Sequence, residues 1–188
     1  MKSASPNAAA FALILLVSGC ASREPVVEEI PPEPVLYEWH GDQMTGPARL
    51  VIDLSDQRAR IYIGGAYAGW TTVATGRRSG WTPTGGFRIT EKIVDKYSNL
   101  YGQILDAEGN VINSDADTRK HTPPPGGRFA HAPMPYWMRL TNWGIGMHAG
   151  PIPNPGNPAS HGCIRLPRDF APTLFNRVEV GTPVKIVH

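Results

Sequence analysis

Two cysteines are all that this 188-residue chain contains, so at most one disulfide is available and a cystine-stapled framework is excluded. No apolar run reaches the roughly 18 residues that a membrane-spanning helix requires. Charge of either sign is in short supply. The 18 Lys and Arg against 16 Asp and Glu leave a net charge of +2, and the basic residues are scattered. A nucleic-acid binder gathers such residues into a patch or stripe, so no nucleic-acid partner is expected. Nothing recurs at a fixed period, which excludes solenoids and propellers. Long stretches of helical periodicity are also missing.

What is abundant is glycine (20) and proline (19), above average usage, which predicts a turn-rich, mainly β domain. The N-terminus has its own composition. Lys2 precedes the apolar segment Phe11–Val17, the length of a secretory h-region, and the segment ends in Val17-Ser18-Gly19-Cys20. That ending resembles a bacterial lipobox, which implies a signal peptide over 1–19, cleavage before Cys20 and lipidation of Cys20. Several acyl chains hold a protein stably at a membrane, where one does not. Ala21 stands where inner-membrane retention is associated with aspartate, so the expected place is the periplasmic face of the outer membrane. From Ser22 to Pro34, prolines alternate with glutamates, a composition that cannot bury a core. Residues 20–45 are therefore read as the lipidated cysteine and a tether, and 46–188 as one domain.

Within that domain, Leu50, Ile52 and Leu54 share one face, and Ala59, Ile61 and Ile63 oppose Arg58, Arg60 and Tyr62. This period of two predicts antiparallel strands with one buried face. Gly64-Gly65 reads as a two-residue hairpin turn into a third strand over 66–75. Thr82-Pro83-Thr84-Gly85-Gly86 is a turn feeding a strand over 87–94. Residues 95–133 turn polar and read as a surface excursion with one short hairpin, 103–105 with 111–113, placed to roof a cleft. Strands over 136–140 and 144–148 follow, then one helix over 169–177 with Pro172 in its first turn, and a last strand over 183–187.

The chemistry concentrates in Met147-His148-Ala149 and Ser160-His161-Gly162-Cys163-Ile164-Arg165. A thiol is a strong nucleophile only as its thiolate, which needs a base or a positive charge beside it. Cys163 is the candidate nucleophile and His148, at the end of a strand, the candidate base and later acid. His161 shares the cysteine's turn and is assigned to organising it or the substrate. The Gly162 and Cys163 amides are candidate oxyanion donors. Arg165 is suited to bind a carboxylate, and Ser160 to hydrogen-bond within the turn. Against this stand two plainer readings: an inert buried thiol, and a metal site built from His148, His161 and Cys163. No fourth Cys, Asp or Glu stands at ligand-like spacing, which leaves His131 or His121 as the open choice for a fourth ligand; both otherwise read as surface or cleft residues. Trp70, Trp81, Trp137 and Trp143 read as core rather than as sugar platforms.

The Ser160–Arg165 motif with His148 upstream closely resembles the signature of the L,D-transpeptidase (YkuD-type) catalytic domain. The likeness extends to Leu50–Thr75, to the Thr82-Pro83-Thr84-Gly85 turn, to Met134–Arg139 with Tyr136, and to Gly146–His148, covering about 48–187. The segment 149–159 is shorter than the family's usual loop. The resemblance implies a β-sandwich of mixed sheets with one short helix, and catalysis by Cys163 and His148 with His161 and Gly162 in support. It also implies Arg165, Ser160 and Tyr136 as substrate-binding residues, and no metal or organic cofactor. The implied partners are peptidoglycan stem peptides and, as a further acceptor, an envelope protein. A thioester formed with loss of D-Ala would pass to an amine. A hydrolase using the same thioester, and a non-catalytic wall-binding lipoprotein, are the alternatives.

Overall fold

A computed structural model describes residues 33–188. The leader, Cys20 and the tether as far as residue 32 lie outside the described residues. One compact unit runs from Pro34 to His188. Its strands are β1 (Tyr37–Trp39), β2 (Ala48–Asp53), β3 (Arg58–Ile63), β4 (Ala66–Thr72), β5 (Gly85–Arg88), β6 (Glu91–Ile93), β7 (Tyr97–Leu105), β8 (Val111–Asp117), β9 (Arg128–Pro133), β10 (Trp137–Arg139), β11 (Gly146–Ala149), β12 (Ile164–Leu166) and β13 (Pro183–Val187), and its helix is α1 (Ala171–Arg177).

Alternation in β2 and β3 does what the pattern demands: Leu50, Ile52, Ala59, Ile61 and Ile63 are buried while their neighbours face outward. Gly64 and Gly65 both have positive φ (57° and 89°), the backbone a two-residue hairpin turn requires. The six-stranded sheet runs β1-β4-β3-β2-β13-β5, with β13 parallel to β2. A four-stranded sheet, β12-β11-β10-β6, contributes Met138, Met147, Ile164 and Leu166 to the same apolar cluster. Helix α1 adds Leu174 and Phe175, and its proline sits in the first turn, where a missing N–H costs nothing. Each fully buried Leu or Ile is worth about 1.5–3 kcal/mol, so this shared core is what fixes the two sheets together. The mixed-sheet sandwich with one short helix is the architecture expected.

Three details differ from the sequence reading. The strand expected over 87–94 is two strands in different sheets, because Ile89 and Thr90 turn a corner: Ile89 N–H donates to Thr182 and Thr90 N–H to Arg139. The excursion over 95–133 is a three-stranded sheet, β8-β7-β9, far more extended than one short hairpin. Its polar alternation hid it, since one face has no deep core to meet. Within 20–45, read as the lipidated cysteine and tether, the described stretch is not all tether: Pro34 and Val35 are exposed, but Tyr37–Trp39 forms a strand. There β1 pairs with β4, and Tyr37 and Trp39 lie against Phe170, with ring centroids 4.8 and 5.7 Å away.

Candidate active site

Strand β11 is internal, with β10 on one side and β12 on the other, and all four of its residues are buried. His148, only 6% exposed, is therefore held by a rigid strand beside the segment that carries the cysteine; its register partner on β12 is Arg165. The Nδ1 of His148 lies 2.9 Å from the carbonyl oxygen of Ala149. A carbonyl only accepts, so Nδ1 carries the hydrogen and Nε2 keeps its lone pair. Burial brings this imidazole down from 6.5 to about 4, against the opposing pull of the Ala149 carbonyl, and the positive charge of Arg165 pushes it the same way as burial. It is neutral at neutral pH.

Cys163 is half-buried at the start of β12. Its thiol donates to the carbonyl of Gly144 at 3.7 Å, and the Gly146 N–H donates to the sulfur, favouring the thiolate. Burial outweighs that hydrogen bond and raises the thiol pKa. In this arrangement no hydrogen bond joins Sγ to His148, and the resting pair is thiol and imidazole, both uncharged.

The turn before the cysteine is held from three directions. The Ser160 hydroxyl donates to the Cys163 carbonyl at 2.5 Å and accepts from Gly162 N–H at 2.9 Å. This commits the Gly162 amide, which was expected to serve an oxyanion; the Cys163 amide is the remaining donor of that pair. The hydroxyl of Thr82 donates to the Gly162 carbonyl at 2.7 Å while accepting from Gly76 N–H at 2.9 Å. The carbonyl of Thr75 accepts from both Ala159 and Ser160 N–H, each at 2.9 Å. Thr75 is in turn gripped by Gln57, a 2%-exposed amide with φ of 51°. Its Oε1 accepts from Thr75 N–H, and its Nε2 donates to Thr75 Oγ1 and to the Leu54 carbonyl. Nothing in the sequence pattern marked Gln57 or Thr75, whereas Thr82 opens the Thr-Pro-Thr-Gly turn that stood out by composition.

His161 forms no hydrogen bond with the thiol and is engaged by other residues. Its ring lies between Tyr101 (centroids 4.2 Å apart, 7° between planes) and Trp81 (5.5 Å, 25°), and its Nε2 meets Arg77 at 2.7 Å and Asp115 at 3.4 Å. Burial lowers its pKa. Arg165 donates to the Pro151 carbonyl at 3.3 Å, packs along Gly150, and forms no salt bridge among the described residues. Tyr136 enters none of these hydrogen bonds; with φ of 58° it turns its ring edge-on to Phe175, 5.6 Å away, against the core. Trp137 is buried as expected, but Trp143 is 67% exposed, next to the Gly144 whose carbonyl holds the thiol. His121 and His131 are exposed. Among the described residues no group of three or more His, Cys, Asp or Glu is arranged to hold a metal ion.

A buried neutral imidazole, a half-buried sulfur beside the uncommitted Cys163 amide, and an Arg165 guanidinium that forms no salt bridge among the described residues suit acyl transfer through a thioester. Comparisons with known proteins bear on the family and the fold. The profile of the YkuD family, described as the L,D-transpeptidase catalytic domain, matches residues 47–186. The solved catalytic domain of an Enterococcus faecium L,D-transpeptidase is 27% identical with a TM-score of 0.53, over 76% of this chain and 98% of that one. A cysteine-to-serine mutant of an E. faecium L,D-transpeptidase is 26% identical with a TM-score of 0.55, over 76% of this chain and 50% of that one. An L,D-transpeptidase from Mycobacterium smegmatis, at 22% identity and a TM-score of 0.55, shares the fold over 74% of this chain and 58% of its own. The chain thus spans 50% and 58% of the length of those last two proteins. No curated protein matches it.

Proposed function

Because the chain belongs to the L,D-transpeptidase (YkuD) catalytic domain family, we propose that it is a peptidoglycan L,D-transpeptidase with Cys163 as nucleophile and His148 as base. The observation that carries this reading is the hydrogen bond from His148 Nδ1 to Ala149, which leaves Nε2 as the unprotonated nitrogen on the strand beside the cysteine. On substrate binding, Nε2 takes the thiol proton and sulfur attacks the carbonyl between the third-position diamino acid and D-Ala of a tetrapeptide stem. The Cys163 N–H stabilises the oxyanion. The C–N bond breaks as the imidazolium returns its proton to the leaving D-Ala amine, and a thioester remains. An amine then attacks, gives its proton to His148 and releases the thiol. With the diamino acid of a second stem as acceptor the product is a cross-link between two third-position residues; with a lysine of an envelope protein it is a protein attached to the wall.

The same reading assigns Ser160 to shaping the cysteine's turn and Arg165 to the substrate. What supports an anchor is separate from the chemistry: the lipobox-like Val17–Cys20 followed by Ala21, on which the proposal is that a lipidated Cys20 holds the domain at the periplasmic face of the outer membrane. Incubating purified protein with disaccharide tetrapeptide and weighing the products tests the reaction. Dimer with loss of D-Ala supports it, whereas tripeptide alone indicates a hydrolase, and unchanged substrate a wall-binding protein without turnover. Replacing Cys163 by Ala is expected to abolish all turnover. Replacing Cys20 by Ala is expected to release the protein from membranes with its chemistry intact; unchanged membrane fractionation rejects the anchor.

A further inference from the structure

Arg77 lies outside every motif that pointed to the active site, yet it stands against the nucleophile's turn. Its N–H donates to the Ser160 carbonyl at 2.9 Å, and its guanidinium reaches His161 Nε2 at 2.7 Å, two residues before Cys163. The carboxylate that meets both groups comes from elsewhere. Asp115 sits on β8, the edge strand of the excursion sheet, 3.0 Å from Arg77 and 3.4 Å from His161.

Local structure aims that carboxylate. Between Gly102↔Ala116 and Ile104↔Asn113, strand β8 has two residues, Ser114 and Asp115, where β7 has one. This is a β-bulge, a device that redirects side chains beside active sites. The Asn113 side chain accepts from Asp115 N–H at 3.0 Å and holds the bulge. Arg165 adds its positive charge to the field at Asp115. Arg77 thus pairs with Asp115 while donating to His161 Nε2, and Arg165 acts on the same carboxylate only through its charge. The Arg77–Asp115 pair is nevertheless exposed on both sides (44% and 58%), and such pairs hold weakly. A carboxylate delivered by a bound ligand, with several other contacts to fix it, displaces a partner of this kind.

We propose that Arg77, whose guanidinium donates to and is held by His161 Nε2, forms a carboxylate subsite that Asp115 fills in the free protein and that the C-terminal carboxylate of the donor stem's D-Ala occupies on binding. This rests on the transpeptidase reading and deepens it. Recognition of a free carboxylate one residue beyond the attacked carbonyl selects stems that end at the leaving D-amino acid. Asp115 acts as a built-in competitor, withdrawn as substrate enters.

The test compares two probes: a disaccharide tetrapeptide with a free D-Ala carboxylate, and the same molecule as its C-terminal carboxamide. Binding is measured on the Cys163→Ala protein, with turnover of both probes by the Cys163 enzyme in parallel. The acid is expected to bind at least about tenfold tighter than the amide, as for a charge-assisted bond to guanidinium. Adding Arg77→Gln is expected to erase that preference by weakening the acid alone. Adding Asp115→Asn is expected to tighten the acid by about threefold or more, with the amide unchanged. Equal binding of acid and amide, equal weakening of both by Arg77→Gln, or weakening of both by Asp115→Asn would overturn the subsite; the last would make Asp115 a latch for the excursion sheet. Acid preference without turnover sinks the transpeptidase reading and keeps the subsite. Turnover without preference does the reverse, and absence of binding and turnover alike rejects both.

Discussion

Thr82 and Gly162, eighty positions apart in sequence, are joined by a 2.7 Å hydrogen bond from hydroxyl to carbonyl, and the same hydroxyl receives Gly76 N–H. One buried side chain thereby ties the turn before β5 and the segment after β4 to the nucleophile's loop. Thr82→Val keeps the shape and removes both bonds, leaving a buried amide and a carbonyl without partners at about 1–3 kcal/mol each. The expected outcome is a drop in unfolding free energy of about 2–6 kcal/mol for the two groups together. Alkylation of Cys163 by iodoacetamide is also expected to slow, as its loop loses its fixed position. Urea titration and alkylation kinetics check it; wild-type values in both would show that the loop is held elsewhere.

Gly162 is glycine for two reasons that act together. Its φ is 125°, and a Cβ there would lie 2.7 Å from the Trp81 carbonyl oxygen and 2.9 Å from Ile145 Cδ1. Backbone atoms cannot yield as a flexible side chain does. Gly162→Ala is expected to cost roughly 2–5 kcal/mol, from strain and overpacking combined, and to reduce turnover more than Thr82→Val. By contrast, Gly156→Ala in the same loop meets open space, though its φ of 87° still carries strain. Comparing the two variants by thermal unfolding separates the clash from the dihedral.

The cysteine, both histidines and the alternating strands of the first sheet were legible because their signals are local, one thiol among imidazoles and a period of two; the two-sheet sandwich was what the family resemblance implied. What the sequence concealed are groups that act across long separations. Gln57 carries no pattern signal, and only the folded chain shows its amide gripping Thr75, which then holds Ala159 and Ser160. Arg77 and Asp115 were lost among scattered charges. Trp143 was misjudged because hydrophobicity alone cannot tell a core indole from one at a hairpin tip.

Gln57→Met retains the volume of the side chain and discards its hydrogen bonds to Thr75 and Leu54. The Thr75 N–H is left buried without its acceptor, at about 1–3 kcal/mol. If the amide serves to position the nucleophile's loop, kcat is expected to fall several-fold with KM little changed, and Gln57→Glu to restore part of it through the acceptor oxygen. A loss of stability with unchanged kcat would confine Gln57 to a structural role.

The protonation state of His148 makes the pH dependence specific. An imidazole free in solution titrates near 6.5, whereas burial brings this one to about 4 in the folded protein. The acid limb of turnover, where the base is lost, is therefore expected near 4, with no inflection around 6.5. The thiol, pushed up by burial, makes alkylation of the free enzyme rise with pH into the alkaline range. Stability follows from the same shift. Above 6.5 the ring is neutral in both folded and unfolded chains and contributes no slope. As pH falls from 6.5 toward 4, the unfolded chain binds a proton that the folded one refuses, so stability declines, by a total on the order of 3 kcal/mol for this residue. His161, also lowered by burial, contributes in the same direction. The part belonging to His148 is the difference between wild type and His148→Gln in urea titrations at pH 7 and pH 5, where the variant should lose less on acidification. Parallel losses in the two proteins, or an acid limb at 6.5, would mean that the ring is solvated in solution and that its neutral, single-tautomer state does not come from burial in β11.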